Sequence, residues 1–272
     1  MRLFGRFYNF EIVILAVLLI AAAVSCQSQA VASGGAEPAA GSGEIVVTGD
    51  IAGKILDLNF DDPSQPIPFT LSADSNIPAC KMEYINGKLR VTSQILTERP
   101  WIVTNPFLGR ELGDFFWQFE FTPNRHDWNS IMLVFRATNG SMNEAYHIHI
   151  LGQNSLDLRD KNSNLAQNND SIQVHSIYGG TIVNGAYQND RKNIASTRFN
   201  WWGPGRPAMF RVVAEDDNCK IWIWRKGSAL PAKPTFEFTM SIPELYKGDF
   251  LIVGWEADFM LDDMVIFNRA KP

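Results

Sequence analysis

The chain is poor in cysteine, with 3 in 272 residues. That is too few for a disulfide scaffold or a four-thiolate zinc site. It also lacks an excess of basic charge. Lys and Arg total 24 against 29 Asp and Glu, a formal net charge of −5. Affinity for phosphate backbones comes largely from Lys and Arg, so nucleic acid is not expected as a partner. The longest apolar run, Ile12 to Val24, falls short of the roughly 20 residues a spanning helix needs. Charged residues are only 19% of the chain, but hydrophobic ones are 46%, which excludes a wholly disordered protein. What the chain has in quantity is aromatic surface, 18 Phe and 8 Trp. Such a composition can fill a large core and leave some Trp for ligands.

The N-terminus reads as an address. Arg2 and Arg6 form a basic segment before the apolar run, a signal-peptide pattern. The run ends in Ala22-Ala23-Val24-Ser25-Cys26, which resembles the lipobox of bacterial lipoproteins, with Ala23 where that family prefers Leu. The resemblance implies that residues 1–26 are a lipoprotein signal ending in the lipidated Cys26. An ordinary secretory signal with Cys26 incidental is the other reading. Either places the mature protein outside the cytoplasm, and the first ties it to the bacterial cell envelope by a lipid anchor alone. Residues 27–43, rich in Gly, Ala and Ser, have no periodic apolar face and are expected to be a flexible linker. Residues 44–272 then fit one domain.

That domain alternates with period two. Phe115, Trp117, Phe119 and Phe121 share one face of a strand, with Gln118 and Glu120 on the other. Further strands are expected over Ile131–Thr138, Ala145–Leu151, Met209–Glu215, Lys220–Lys226, Phe250–Trp255 and Phe259–Phe267. Asn86-Gly87, Asn139-Gly140 and Asp216-Asp217-Asn218 are turn signals between strand candidates. One helical turn is expected at Ser241–Tyr246, where Ser241 and Glu244 have capping-box spacing. Many short strands with almost no helix predict an all-β fold, an antiparallel β-sandwich of jelly-roll type.

Four pieces resemble the concanavalin A-like lectin and glucanase superfamily, including its laminin-G-like and keto-disaccharide hydrolase-like members. They are the opening strand Leu56–Asp62, the hairpin Ile85–Val91, the middle strands ending Phe135-Arg136 and running Tyr146–His149, and the closing pair at Gly254 and Leu261–Phe267. The resemblance implies a concanavalin A-like jelly roll with a carbohydrate-related role. That fold hosts binders, hydrolases and lyases, so it leaves the activity open.

Motifs for catalysis are scarce. The nearest string to the superfamily's Glu-x-Asp-x-x-Glu strand is Glu256–Leu261, which lacks the second Glu. No Gly-x-Ser-x-Gly elbow exists, and neither Cys80 nor Cys219 has a nucleophile signature. His147 and His149 share a strand face and could serve a metal, or make hydrogen bonds in a groove; His126 and His175 show no tie to them. Three functions stay open: a cell-surface carbohydrate-binding protein, a hydrolase or lyase acting through His149 and Asp157, and a structural surface protein that contacts other proteins.

Three site expectations follow. Cys80 and Cys219 remain once Cys26 is set aside, so either they form a disulfide or they are buried free thiols. Asp61, Asp62, Asp262 and Asp263 offer hard oxygen ligands for a structural calcium ion, if the first and last strands meet as in related domains. The alternative is that these acids cap turns. Lastly, matching apolar faces pairs Phe135 with Ile148 and Ala137 with Tyr146, which sets Arg136 opposite His147. A turn at Gly152-Gln153-Asn154 would then pair Ile148 with Leu158, bringing Asp157 beside His149 and Arg159 beside His147. The same logic pairs Val212 with Ile221 and sets Arg211 opposite Trp222, with Trp224 on that face. Planar donors beside indole rings suit an oligosaccharide, with Trp128, Trp201 and Trp202 as a rim. Arginine stacked on tryptophan for stability alone is the other reading.

Overall fold

Alternation of apolar and polar residues builds the molecule. The computed structural model describes residues 53–72, 80–93, 101–124, 130–151, 171–183, 186–199, 201–255 and 257–268. In chain order the strands are β1 (Lys54–Leu58), β2 (Cys80–Ile85), β3 (Lys88–Ser93), β4 (Trp101–Val103), β5 (Phe115–Pro123), β6 (Ser130–Ala137), β7 (Ala145–Leu151), β8 (Ser171–Val183), β9 (Ala186–Arg198), β10 (Ala208–Glu215), β11 (Asn218–Arg225), β12 (Phe236–Thr239), β13 (Asp249–Trp255) and β14 (Asp258–Asn268). They form two antiparallel sheets of a jelly-roll sandwich. The eight-stranded sheet runs β12-β11-β10-β5-β14-β3-β2, with β1 also paired to β14; the six-stranded sheet runs β4-β13-β6-β7-β8-β9.

The period-two faces pack where the pattern puts them. Phe115, Trp117, Phe119 and Phe121 are fully buried between the sheets, and so are Ile131, Leu133 and Phe135 of β6. Rings from the two sheets lock edge to face. Trp117 lies 5.0 Å from Phe250, and Phe115 lies 5.6 Å from Phe135, centroid to centroid. Each such side chain contributes roughly 1.5–3 kcal/mol by leaving water. Asn86 and Gly87 take φ of 52° and 71°, the two left-handed residues of a tight hairpin turn, and β2 pairs with β3 around them.

Several expectations need correction. The turn at Pro243–Leu245 is a single 3-10 turn preceded by Ile242, with no side-chain cap, so the Ser241–Glu244 capping box does not form. Strands β4, β8, β9 and β12 were not expected from the sequence. Cys80 and Cys219 are both buried and are not bonded to each other as a disulfide. Strand β2 lies five places from β11 in the sheet order, about 24 Å at the usual ~4.8 Å strand spacing, far beyond bridging reach. Burial pushes the Cys219 thiol well above its ordinary pKa, so the native protein should leave it unreactive. Reductant is therefore expected to leave Tm unchanged, and both thiols should titrate with a chromogenic disulfide only after denaturation. A Tm that drops on reduction would contradict this arrangement.

Candidate functional site

The outer face of the six-stranded sheet carries a buried row of imidazoles. Side chains alternate, so burying Ile131, Leu133, Ile148, Ile150, Ile172 and Val174 in the core turns their neighbours outward. Across β6, β7 and β8, one outward row reads Met132, His149, Gln173 and the next reads Val134, His147, His175. His147, His149 and His175 are 0%, 6% and 3% exposed although they face away from the core. Met132 and Val134 of these rows also join Ala137, Ala145, Leu251 and Val253 in a second apolar cluster.

Arg191 of β9 reaches over this row. Its Nη2 lies 3.0 Å from His149 Nδ1 and 2.5 Å from His175 Nε2. A guanidinium only donates, so both ring nitrogens must accept, and each imidazole carries its proton on the other nitrogen. His147 Nδ1 lies 3.3 Å from Met132 Sδ. Burial, reinforced by Arg191, keeps the rings neutral: desolvation lowers His147 to about 4, and His149 and His175 to about 3. Among the described residues, His147 Nε2 and His175 Nδ1 are buried with no hydrogen-bond partner. Such atoms are uncommon in native proteins, and five others among the described residues share that state, Trp117 Nε1 in the core among them. His175, Gln173 and Arg191 were missed by the sequence reading. Ile172 and Val174 alternate with Gln173 and His175, so a period-two scan of that segment had the signal for the first two.

Arg136 does not join them. The expected register is displaced by two residues: Phe135 pairs with Tyr146, and Leu133 with Ile148. Arg136 sits in a bulge, with φ of 51°, where the β6–β13 ladder shifts register. The bulge backbone packs on Gly248, where an added Cβ would lie 2.4 Å from the Arg136 carbonyl carbon. The guanidinium is buried and donates to the carbonyls of Gly113 (2.9 Å), Asp216 (2.7 Å) and, at 3.5 Å, Leu245. It is a clamp on three loops. The place expected for Leu158 beside Ile148 is held by Val174. Asp157, Arg159, Trp128, His126 and Cys26 lie outside the described residues.

The remaining candidates lie on the other sheet. Val212 pairs with Ile221 and Arg211 with Trp222, the register the sequence predicts, on the outer face of the eight-stranded sheet. Arg211 donates twice to Gln118 Oε1 and lies over the rings of Phe116 (5.1 Å) and Trp224 (5.6 Å). It covers those rings itself; Trp222 keeps partial exposure, with no cation over it among the described residues. Trp202 is buried against Phe121 and Phe210 and is no rim residue; Trp201 lies under Arg225 at 5.4 Å.

On the same outer face, Glu120, Asp262 and Asp263 form an acidic group. Asp61 and Asp62 are not in it. Asp62 caps its own turn through Ser64, and Asp61 accepts from Asn59. Asp263 does not follow the buried phase of Leu261; a bulge between Asp262 and Val265 turns it out, half exposed. Glu120 is buried, which alone would raise its pKa, but ion pairs with Lys226 and Lys88 outweigh burial and hold it below the carboxylate range. Lys88 also meets Asp262 at 3.2 Å, and Lys226 meets Asp263 at 3.4 Å. The three carboxylates are hard oxygen donors of the kind calcium takes, but they are fewer than the roughly six to eight it needs, and two ammonium groups already neutralise them.

No family model matches the chain, and no curated protein matches it. Solved structures do. A Bacillus subtilis protein of unknown function with a galectin-like fold has TM-score 0.55 at 9% identity, covering 81% of this chain and 98% of that one. The CBM2 module of the evolved Dit of Lactobacillus casei BL23 phage J-1 has TM-score 0.51 at 9% identity, with coverage of 81% and 98%. The carbohydrate binding module CBM66 from Bacillus subtilis has TM-score 0.44 at 14% identity, covering 71% and 97%.

Proposed function

From a galectin-like, concanavalin A-like sandwich with a polar imidazole row on one outer face, we propose a protein that binds a glycan on the outer face of its six-stranded sheet. One observation carries this reading: His175 Nδ1, which must bear a proton, is buried without an acceptor in an outward-facing row. A sugar hydroxyl supplies an acceptor there. The shared fold with a CBM2 module accords with it. Binding is favoured over hydrolysis because His149 and His175 are bonded to a guanidinium, and β6, β7 and β8 contain no carboxylate to work as acid or base. The N-terminal pattern supports display on a bacterial envelope through a lipid on Cys26. If so, Cys26→Ser should move the protein from the membrane to the soluble fraction.

The test is a glycan array on the folded protein, followed by titration of the hits. His175→Ala and Gln173→Ala are each expected to weaken binding at least tenfold, with Trp222→Ala at the wild-type level. The reverse result would move the site to the eight-stranded sheet. Reducing ends released from a bound glycan would overturn the non-catalytic reading. The ammonium-filled acidic group also predicts an unchanged Tm after chelation with EDTA; a fall of several degrees would restore the calcium ion.

A further inference from the structure

We infer that His149 and His175 form a binding site for a divalent transition-metal ion, which takes the place that the Arg191 guanidinium holds between them. The first ground is placement. The chain has only 4 histidines, and three of them, His147, His149 and His175, lie at neighbouring positions on the outer face of β7 and β8. The rings of His149 and His175 are neighbours, with centroids 5.5 Å apart. The second ground is direction. Arg191 Nη2 donates to both rings, so His149 Nδ1 and His175 Nε2 point their lone pairs at one atom, from 3.0 Å and 2.5 Å. Two imidazoles that aim lone pairs at a common point are arranged as metal ligands are. A zinc–nitrogen bond is about 2.0–2.1 Å, so each nitrogen must close on that point by less than about 1 Å, a small turn of the side chain.

The third ground is that the guanidinium is replaceable. Arg191 is exposed on β9, the edge strand, and a turn of its long side chain returns its charge to water. The acidic group on the other sheet differs in this respect. There opposite charges hold Lys88 and Lys226 in place, whereas an imidazole that accepts a hydrogen bond carries no charge to hold a guanidinium. Imidazole nitrogen suits Zn²⁺, Cu²⁺ and Ni²⁺, while the hard Ca²⁺ takes oxygen. His147 does not converge with the pair: among the described residues, the group of three donors that meets at one point is the acidic one. Two protein ligands, with water in the remaining positions, therefore make an open site. Metal on His175 Nε2 leaves the Nδ1–H of that ring in place, so the inference does not rest on the glycan-binding reading.

The experiment uses the full chain, stripped with EDTA, dialysed and titrated by calorimetry with Zn²⁺ and with Cu²⁺. Each is expected to bind one to one. The electron-spin spectrum of the Cu²⁺ complex should show hyperfine splitting from two imidazole nitrogens. His149→Gln and His175→Gln should each weaken Zn²⁺ binding by about tenfold or more. Arg191→Ala, which removes the competitor for the lone pairs, should tighten it several-fold, the reverse of what loss of a merely structural contact would do. Thermal melts establish that each variant is folded, and the Cu²⁺ spectrum of the wild type counts the ligands without any substitution. Absence of Zn²⁺ binding, wild-type affinity in both histidine variants, a Cu²⁺ spectrum without imidazole splitting, or an Arg191→Ala protein that binds no more tightly would each overturn the metal site and leave glycan binding standing.

Discussion

Arg136→Met is expected to lower the unfolding free energy by about 3–5 kcal/mol, the cost of breaking a buried charged network. The bulge places the guanidinium inside one end of the sandwich, where it closes three loops: Gly113 before β5, Asp216 between β10 and β11, and Leu245 in the 3-10 turn. Methionine fills much of the volume and satisfies none of the three carbonyls. Each carbonyl left dry costs roughly 1–3 kcal/mol unless the loop opens to water. Urea denaturation measures the loss. In whatever fraction stays folded, glycan affinity should equal that of the wild type, because Arg136 faces neither outer surface. A change under about 1 kcal/mol would show that solvent reaches those carbonyls and that the clamp is not what holds the loops.

The second large effect is expected with acid. His147, His149 and His175 have folded pKa values of about 4, 3 and 3, below the ordinary 6.5. The unfolded chain therefore binds these protons first. The stability from keeping the rings neutral is complete above pH 6.5 and is lost as pH falls toward the folded values. At pH 5 linkage gives roughly 2 kcal/mol per ring. Three neighbouring rings do not add fully, so about 4 kcal/mol in total is the expected loss between pH 7 and pH 5. Glu120 acts in a different window: its folded pKa is lowered, so its contribution disappears only as pH drops below the ordinary carboxylate value. Urea midpoints at half-unit pH steps separate the two. His175→Gln should flatten the upper limb, and a midpoint that stays level from pH 7 to 5 would mean that the rings are not held neutral.

The strands that proved legible had large apolar side chains at every second position, as in β5, β6, β7 and β10. The Arg211–Trp222 pairing was legible as well, because a short turn fixed its register. Arg136 was misplaced because its direction depends on a bulge, and the bulge depends on contact with Gly248, more than a hundred residues away. No local pattern reports that contact. Strand β9 was missed for the opposite reason. Ala186–Arg198 is polar along most of its length and lies at the sheet edge, so it carries little alternation to detect. With β9 unseen, Arg191 had no position, and the imidazoles were assigned partners from the segment that follows β7. The site was only half legible: His147 and His149 were found, while the residues that orient them came from strands whose sequence says little.

The position of β14 bears on how the chain acquires its shape. This final strand pairs with β5 on one side and with β3 and β1 on the other, so it joins the two halves of the eight-stranded sheet. Until residues 258–268 have been synthesised, the β2–β3 hairpin and the β5-β10-β11-β12 ladder have no strand between them. Those early pieces must wait with apolar faces exposed, and the closing step must bring together parts of the chain far apart in sequence. Such long-range pairing is slow, and the waiting state is prone to aggregation. A nascent chain that remains unfolded to its last strand is also one that a translocation channel or a chaperone can still thread.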